Sequence, residues 1–163
     1  GSERRGAPVE AYLRLDSSKI YVRSNVYEPD HVVVQDLRLL QLVDVTKGLK
    51  KGGWILLNSP GLPDGLERFE GFRLACVDAS RIALEHGLGG KTQPITNTSM
   101  MGAFAKLFGT PPLEAVATAI EHEMPVKIAE NKAAARAAYD EVRKFGLIDA
   151  AFIKSAASGE AAS

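Results

Sequence analysis

Three groups of residues in this chain have the types and spacing for chemistry. Arg4 and Arg5 stand beside Gly6; an arginine fork matches phosphate or carboxylate geometry, and a glycine lets a ligand approach the backbone closely. Adjacent arginines on a loop are also commonly no more than solvated charge. Thr96, Asn97 and Thr98 stand before the apolar, small-residue run Met100 to Phe108. At a helix start, free backbone N–H groups and a partial positive charge suit an anion. Plain N-capping explains the same residues. The third group is Gln35-Asp36, Asn58-Ser59 and Asp78, each at the end of a short apolar run. If those runs are parallel strands, the polar ends face the crevice where open α/β sheets hold ligands. Capping of the following helices accounts for Asp36 and Asp78 equally.

Other chemistries find little material. The chain of 163 residues holds one cysteine, Cys76, inside an apolar run, so it offers no disulfide framework, cysteine zinc site or cluster-binding set of its own. His31, His86 and His122 are scattered, with no metal-ligand spacing. "GLGGK" at 87–91 resembles a phosphate cradle but follows a helical pattern rather than a strand, so helix termination reads better. Lys+Arg and Asp+Glu balance at 20 each, leaving no overall field to draw nucleic acid or an anionic membrane. No apolar stretch reaches the length of a membrane span. A cytoplasmic protein is expected, and a lone cysteine suits a reducing compartment.

The elements that must position these groups follow from periodicity. Residues 8–15 and 19–24 alternate apolar and polar across Asp16-Ser17-Ser18, the pattern of an antiparallel hairpin. The continuous apolar runs His31–Asp36, Trp54–Asn58 and Phe72–Asp78 read as strands covered on both faces. Short helices are expected over 37–43 and 80–86, the second stopped by Gly87. This strand–helix alternation implies a parallel sheet with helices packed on it. The second half reads as helical: about 100–108 ended by Gly109, a helix after Pro111-Pro112 running to about Glu123, and a long surface helix over 126–144 stopped by Phe145-Gly146. The tail from Ser155 is small and polar and reads as disordered. One α/β domain over 1–146 with a C-terminal extension, 147–163, is expected.

Four ordered stretches, "GSERRGAPVEAYLRL", "YEPDHVVVQD", "ACVDASRIALEHGLG" and "PITNTSMMGAFAKLFG", resemble the gamma subunit of 2-oxoacid:acceptor oxidoreductases of the pyruvate synthase type. The resemblance runs from about residue 3 to 145. It implies a Rossmann-like α/β fold and a part in an enzyme that oxidatively decarboxylates a 2-oxoacid with coenzyme A, passing electrons to ferredoxin or another acceptor. It also implies alpha, beta and ferredoxin-like delta partner subunits, which carry the thiamine diphosphate and iron–sulfur clusters, while this chain covers the active site and helps to bind coenzyme A. The family's glycine-rich GRGGQG stretch does not occur ahead of the ERRGAPV segment, so the family's first βα unit is expected to be missing. On the resemblance, Arg4, Arg5 and Gly6 match a loop facing the catalytic cleft, and Thr96, Asn97 and Thr98 a polar turn. All six are expected to contact coenzyme A or the active-site lid, with no catalytic residue on this chain. Met100, Met101, Gly102 and Phe104 match an apolar face open to core packing or subunit contact. The alternative is a free-standing acyl-CoA or nucleotide-binding module. Which 2-oxoacid and which electron acceptor are used is left open.

Overall fold

The computed structural model describes residues 7–159. Its centre is a four-stranded sheet in the order β1 (His31–Val34), β2 (Trp54–Asn58), β3 (Arg73–Val77) and β6 (Arg143–Leu147). The first three strands run parallel, with Val34 opposite Leu57 and Leu57 opposite Cys76; β6 lies antiparallel to β3. Successive side chains in a strand point to opposite faces, and here they divide the core in two. Leu56, Ala75 and Val77 face the layer formed by α2 (Ala79–Glu85), α3 (Asn97–Phe108) and α5 (Ile128–Glu141). Ile55, Leu57, Leu74 and Cys76 face Phe69 and Ile148, flanked by α1 (Leu39–Leu42) and α6 (Ala150–Ala157). Ile55, Leu56, Leu57 and Leu74 are completely buried, each contributing about 1.5–3 kcal/mol of transfer free energy. α4 (Leu113–Glu123) closes a third cluster against α3 and α5 through Val116, Ile120 and Ala135.

The helical layer depends on one close approach. α5 buries Asn131, Ala134, Ala135 and Ala138, a helical stripe that is small throughout. Gly102 of α3 sits against that stripe: a Cβ built on it would lie 1.9 Å from the Ala135 carbonyl oxygen. Matched small residues therefore let two helix backbones touch.

Several expectations change. The antiparallel hairpin expected near the N-terminus does not form: residues 7–30 hold no strand. The two runs still meet, because the Arg14 guanidinium donates to the Ser24 and Asn25 carbonyls at 3.3 and 3.1 Å. Alternation needs a surface to cover one face, and Val9, Leu13, Leu15 and Tyr21 remain 62–85% exposed. The long surface helix expected over 126–144 ends at Glu141, and residues 143–147 become β6. Gly146 is not a helix stop but the left-handed residue (φ 82°) of a bulge, which skips Phe145 so that Leu74 pairs with Gly146 and Ala75 with Lys144. The stretch beyond 146 is not merely an extension, since Ile148 is fully buried and α6 packs Phe152, Ile153 and Ala156 onto the sheet. Residues 155–157, expected to be disordered, close that helix. Within "GLGGK", Gly89–Gly90 pairs with Gln93–Pro94 as a two-stranded ribbon, β4 and β5.

Candidate functional site

The strand ends form one polar neighbourhood. Asn58, at the end of β2, donates through its amide nitrogen to the Gln35 carbonyl at 2.9 Å and to Ser80 Oγ at 3.0 Å. Its amide oxygen accepts the Ser80 backbone N–H at 3.2 Å. One side chain therefore ties the end of β1, the end of β2 and the first turn of α2. Ser59 Oγ donates to the Gly61 carbonyl at 2.6 Å. Asp78 caps α2, accepting the Arg81 N–H at 3.0 Å. The Arg81 side chain pairs with Glu85 at 2.7 Å and with Glu141, at the far end of α5. Asp36 accepts both the backbone and the guanidinium of Arg38; the guanidinium holds its carboxyl below the usual range. Capping and cross-element bracing are what these residues do.

The second neighbourhood is the start of α3. Thr96 is half-buried, and its carbonyl accepts the Met100 N–H at 2.9 Å. Asn97 is exposed, with its amide oxygen accepting the Thr98 N–H at 3.0 Å. Thr98 turns inward: its hydroxyl donates to Asn131 Oδ1 at 2.8 Å in a buried contact, and Asn131 donates onward to the Lys127 carbonyl at 2.9 Å. Lys127 holds a left-handed backbone (φ 55°) at the N-cap of α5 and donates its ammonium to the Gly87 carbonyl. Of the three consecutive residues, Thr98 is thus committed to helix pairing, while Thr96 and Asn97 keep access to solvent. Arg4, Arg5 and Gly6 lie outside the described residues.

The two neighbourhoods do not merge. The strand ends gather at the start of α2, whereas the Thr96–Thr98 turn sits past its end, where the Ile95 N–H donates to the Leu88 carbonyl. The seven residues of α2 span roughly 10 Å. An open groove of about 500 Å³ beside Arg68, lined by Leu40 to Thr46, contains none of these residues. Asn131 was missed in the sequence reading; its signal was an amide in register with the alanine stripe of α5. Asn58 was seen only as a strand end, with no sign of its three partners.

Among the described residues, no three His, Cys, Asp or Glu side chains converge to hold a metal ion. Cys76 faces the core, where burial pushes its thiol up to about 12; it stays protonated and offers no thiolate for ligation or attack. Nor is any helix of the described residues long and apolar enough to cross a membrane.

Comparison with known proteins adds a family. The family model described as "Pyruvate ferredoxin/flavodoxin oxidoreductase" matches residues 1–141. The pyruvate synthase subunit PorC of Methanocaldococcus jannaschii is 45% identical over 148 residues, covering 90% of this chain and 79% of that protein. The "pyruvate/ketoisovalerate oxidoreductases common subunit gamma" of Pyrococcus abyssi is 44% identical over 150 residues, 89% of this chain and 78% of its own. Among solved structures, pyruvate oxidoreductase subunit PORC of Thermotoga maritima superposes with a TM-score of 0.62 at 35% identity, covering 73% of this chain and 66% of that one.

Proposed function

This chain belongs to the pyruvate ferredoxin/flavodoxin oxidoreductase family, and from that premise we propose that it serves as the gamma subunit of an enzyme oxidising 2-oxoacids. The reaction takes a 2-oxoacid and coenzyme A to acyl-CoA and carbon dioxide, releasing an electron pair and a proton. Thiamine diphosphate and iron–sulfur clusters supply the decarboxylation and electron transfer, and they belong to the alpha, beta and ferredoxin-like delta partners. A single buried, protonated cysteine suits that division of labour. The observation that carries the reading is the family match across 141 residues together with relatives near 45% identity. One relative is named as a gamma subunit common to pyruvate and ketoisovalerate oxidoreductases. That name supports placing the choice of 2-oxoacid on a partner.

The residues of this chain then bind and shield. Asn97, exposed on the first turn of α3, would hydrogen-bond an anionic group of coenzyme A, together with Thr96 and the free N–H groups of that turn. Arg4 and Arg5, beside Gly6, would grip phosphate through their guanidinium forks. Thr98 holds the turn in place through Asn131 rather than touching ligand. The test is steady-state kinetics of the assembled enzyme. Charge reversal at Arg4 and Arg5, or Asn97→Ala, is expected to raise the KM for coenzyme A with the KM for the 2-oxoacid unchanged. An unchanged KM for coenzyme A in all these variants would remove the site assignment. Full activity of the complex without this chain would remove the subunit reading itself.

A further inference from the structure

His31 opens β1 and touches two further elements, β2 and α3. Its Nδ1 accepts the backbone N–H of Trp54, the first residue of β2, at 3.1 Å. Its ring lies on Phe108 in the last turn of α3, with centroids 4.5 Å apart and planes 37° apart. Phe108 in turn packs on Phe104 at 4.5 Å, and both phenylalanines and Trp54 lie against the core of the helical layer. A backbone N–H donates only to an unprotonated ring nitrogen, so this arrangement exists only with Nδ1 bare. A proton at Nδ1 would set two donors face to face and leave the Trp54 amide without its acceptor.

We propose that His31 is a pH-operated clasp, closing the amino end of β1 onto β2 and α3 when neutral and opening when protonated. The charges around it are few. Asp30, the preceding residue, favours the imidazolium, but its carboxylate is engaged by Lys50 at 2.6 Å and is held below its usual range. Arg73 of β3, whose guanidinium lies over the Trp54 ring at 5.9 Å, opposes the imidazolium. α3 brings two phenyl rings and the negative end of its dipole, which favours the cation. Burial and Arg73 outweigh Asp30, and the imidazole is held below its ordinary value of 6.5. The neutral, closed form therefore prevails at neutral pH, and opening belongs to mild acid. β1 has only four residues, so its other end is left to the Asn58 bond on the Gln35 carbonyl.

Trp54 is the chain's one tryptophan, a reporter already in place. Its fluorescence and the solvent exchange of its backbone amide, read by nitrogen-15 NMR, are followed from pH 8 to pH 5 in the full chain. The expected result is a one-proton transition with a midpoint below 6.5. After correction for intrinsic exchange, the amide should exchange about fivefold to tenfold faster on the acid side. His31→Gln keeps an acceptor that does not titrate and should be flat and protected; His31→Phe keeps a ring and should be flat and fast. A transition that persists in either variant, or a wild-type amide whose corrected exchange ignores pH, overturns the proposal. If His31→Phe does not fold, the glutamine variant decides alone.

Discussion

Replacing Gly102 with alanine should separate α3 from α5. The new Cβ would sit 1.9 Å from the Ala135 carbonyl oxygen and 2.8 Å from its Cα. The obstacle is backbone inside a helix, so no side chain can rotate away. Restoring ordinary contact means moving the helices apart by about 1.5 Å, which forfeits dispersion contacts along the alanine stripe. Overpacking of this kind costs about 1–3 kcal/mol, and a backbone obstacle belongs at the upper end. Alanine's better helix propensity returns about 1 kcal/mol. The net loss is about 2 kcal/mol, a fall in Tm of about 4–8 °C for a chain of this size. One helical turn away lies the Thr98–Asn131 bond, which the same displacement would stretch. Urea unfolding of Gly102→Ala, Thr98→Val and the double variant measures both effects. The double variant should lose less than the sum, with a coupling of about 1 kcal/mol. Gly61→Ala is the control, because nothing lies within 4 Å of its Cβ position. Gly102→Ala within about 0.5 kcal/mol of wild type would refute the close crossing.

Asn58→Ala removes two donated bonds and one accepted bond around the strand ends; a loss of about 2 kcal/mol in urea unfolding is expected. Cys76, with its thiol pushed up to about 12, should resist a thiol reagent at pH 8, where about one molecule in ten thousand is thiolate, and react fully in guanidinium. Asp30, Asp36 and Asp44 are held below the ordinary carboxyl value of 3.8 by hydrogen bonds from Lys50, Arg38 and Thr46, so the unfolded chain binds more protons there. Their contribution is present above about pH 4 and lost as pH falls below it. Asp36→Asn should flatten that part of the acid-unfolding curve, by a small amount because the pair with Arg38 is exposed. Leu13→Asp changes a side chain 69% exposed and should leave the isolated chain within about 0.5 kcal/mol of wild type. If the 7–30 run is a subunit contact, the same variant should weaken co-purification with the partner subunits, as read by affinity pull-down.

What could be read in the sequence was local. β2 and β3 showed as uninterrupted apolar runs, because a strand covered on both faces has no polar side to display. Asp78 showed as the cap of α2 and Gly109 as the end of α3, since each acts within a few residues. β6 was hidden: Arg143-Lys144-Phe145-Gly146-Leu147 continues the charge pattern of α5, and only pairing with β3, some seventy residues earlier, makes it a strand. The 8–24 alternation misled in the opposite sense, carrying the period of a strand without a surface to cover it. The turn at Thr96–Thr98 was legible as a helix start. Its division into an inward Thr98 and an outward Asn97 was not, because Asn131 lies 33 residues downstream.

The placement of polar and apolar groups bears on the subunit reading. Asn58, Ser59, Asp78, Arg81 and Thr98 all find partners within the chain, so the obvious polar candidates brace the fold. Val9, Leu13, Leu15, Tyr21 and Tyr27 stand exposed on one stretch, the reverse of a surface made for water alone. Polar side chains engaged at the strand ends, beside an exposed apolar stretch over residues 9–27, are the balance that suits a chain packed against partner subunits.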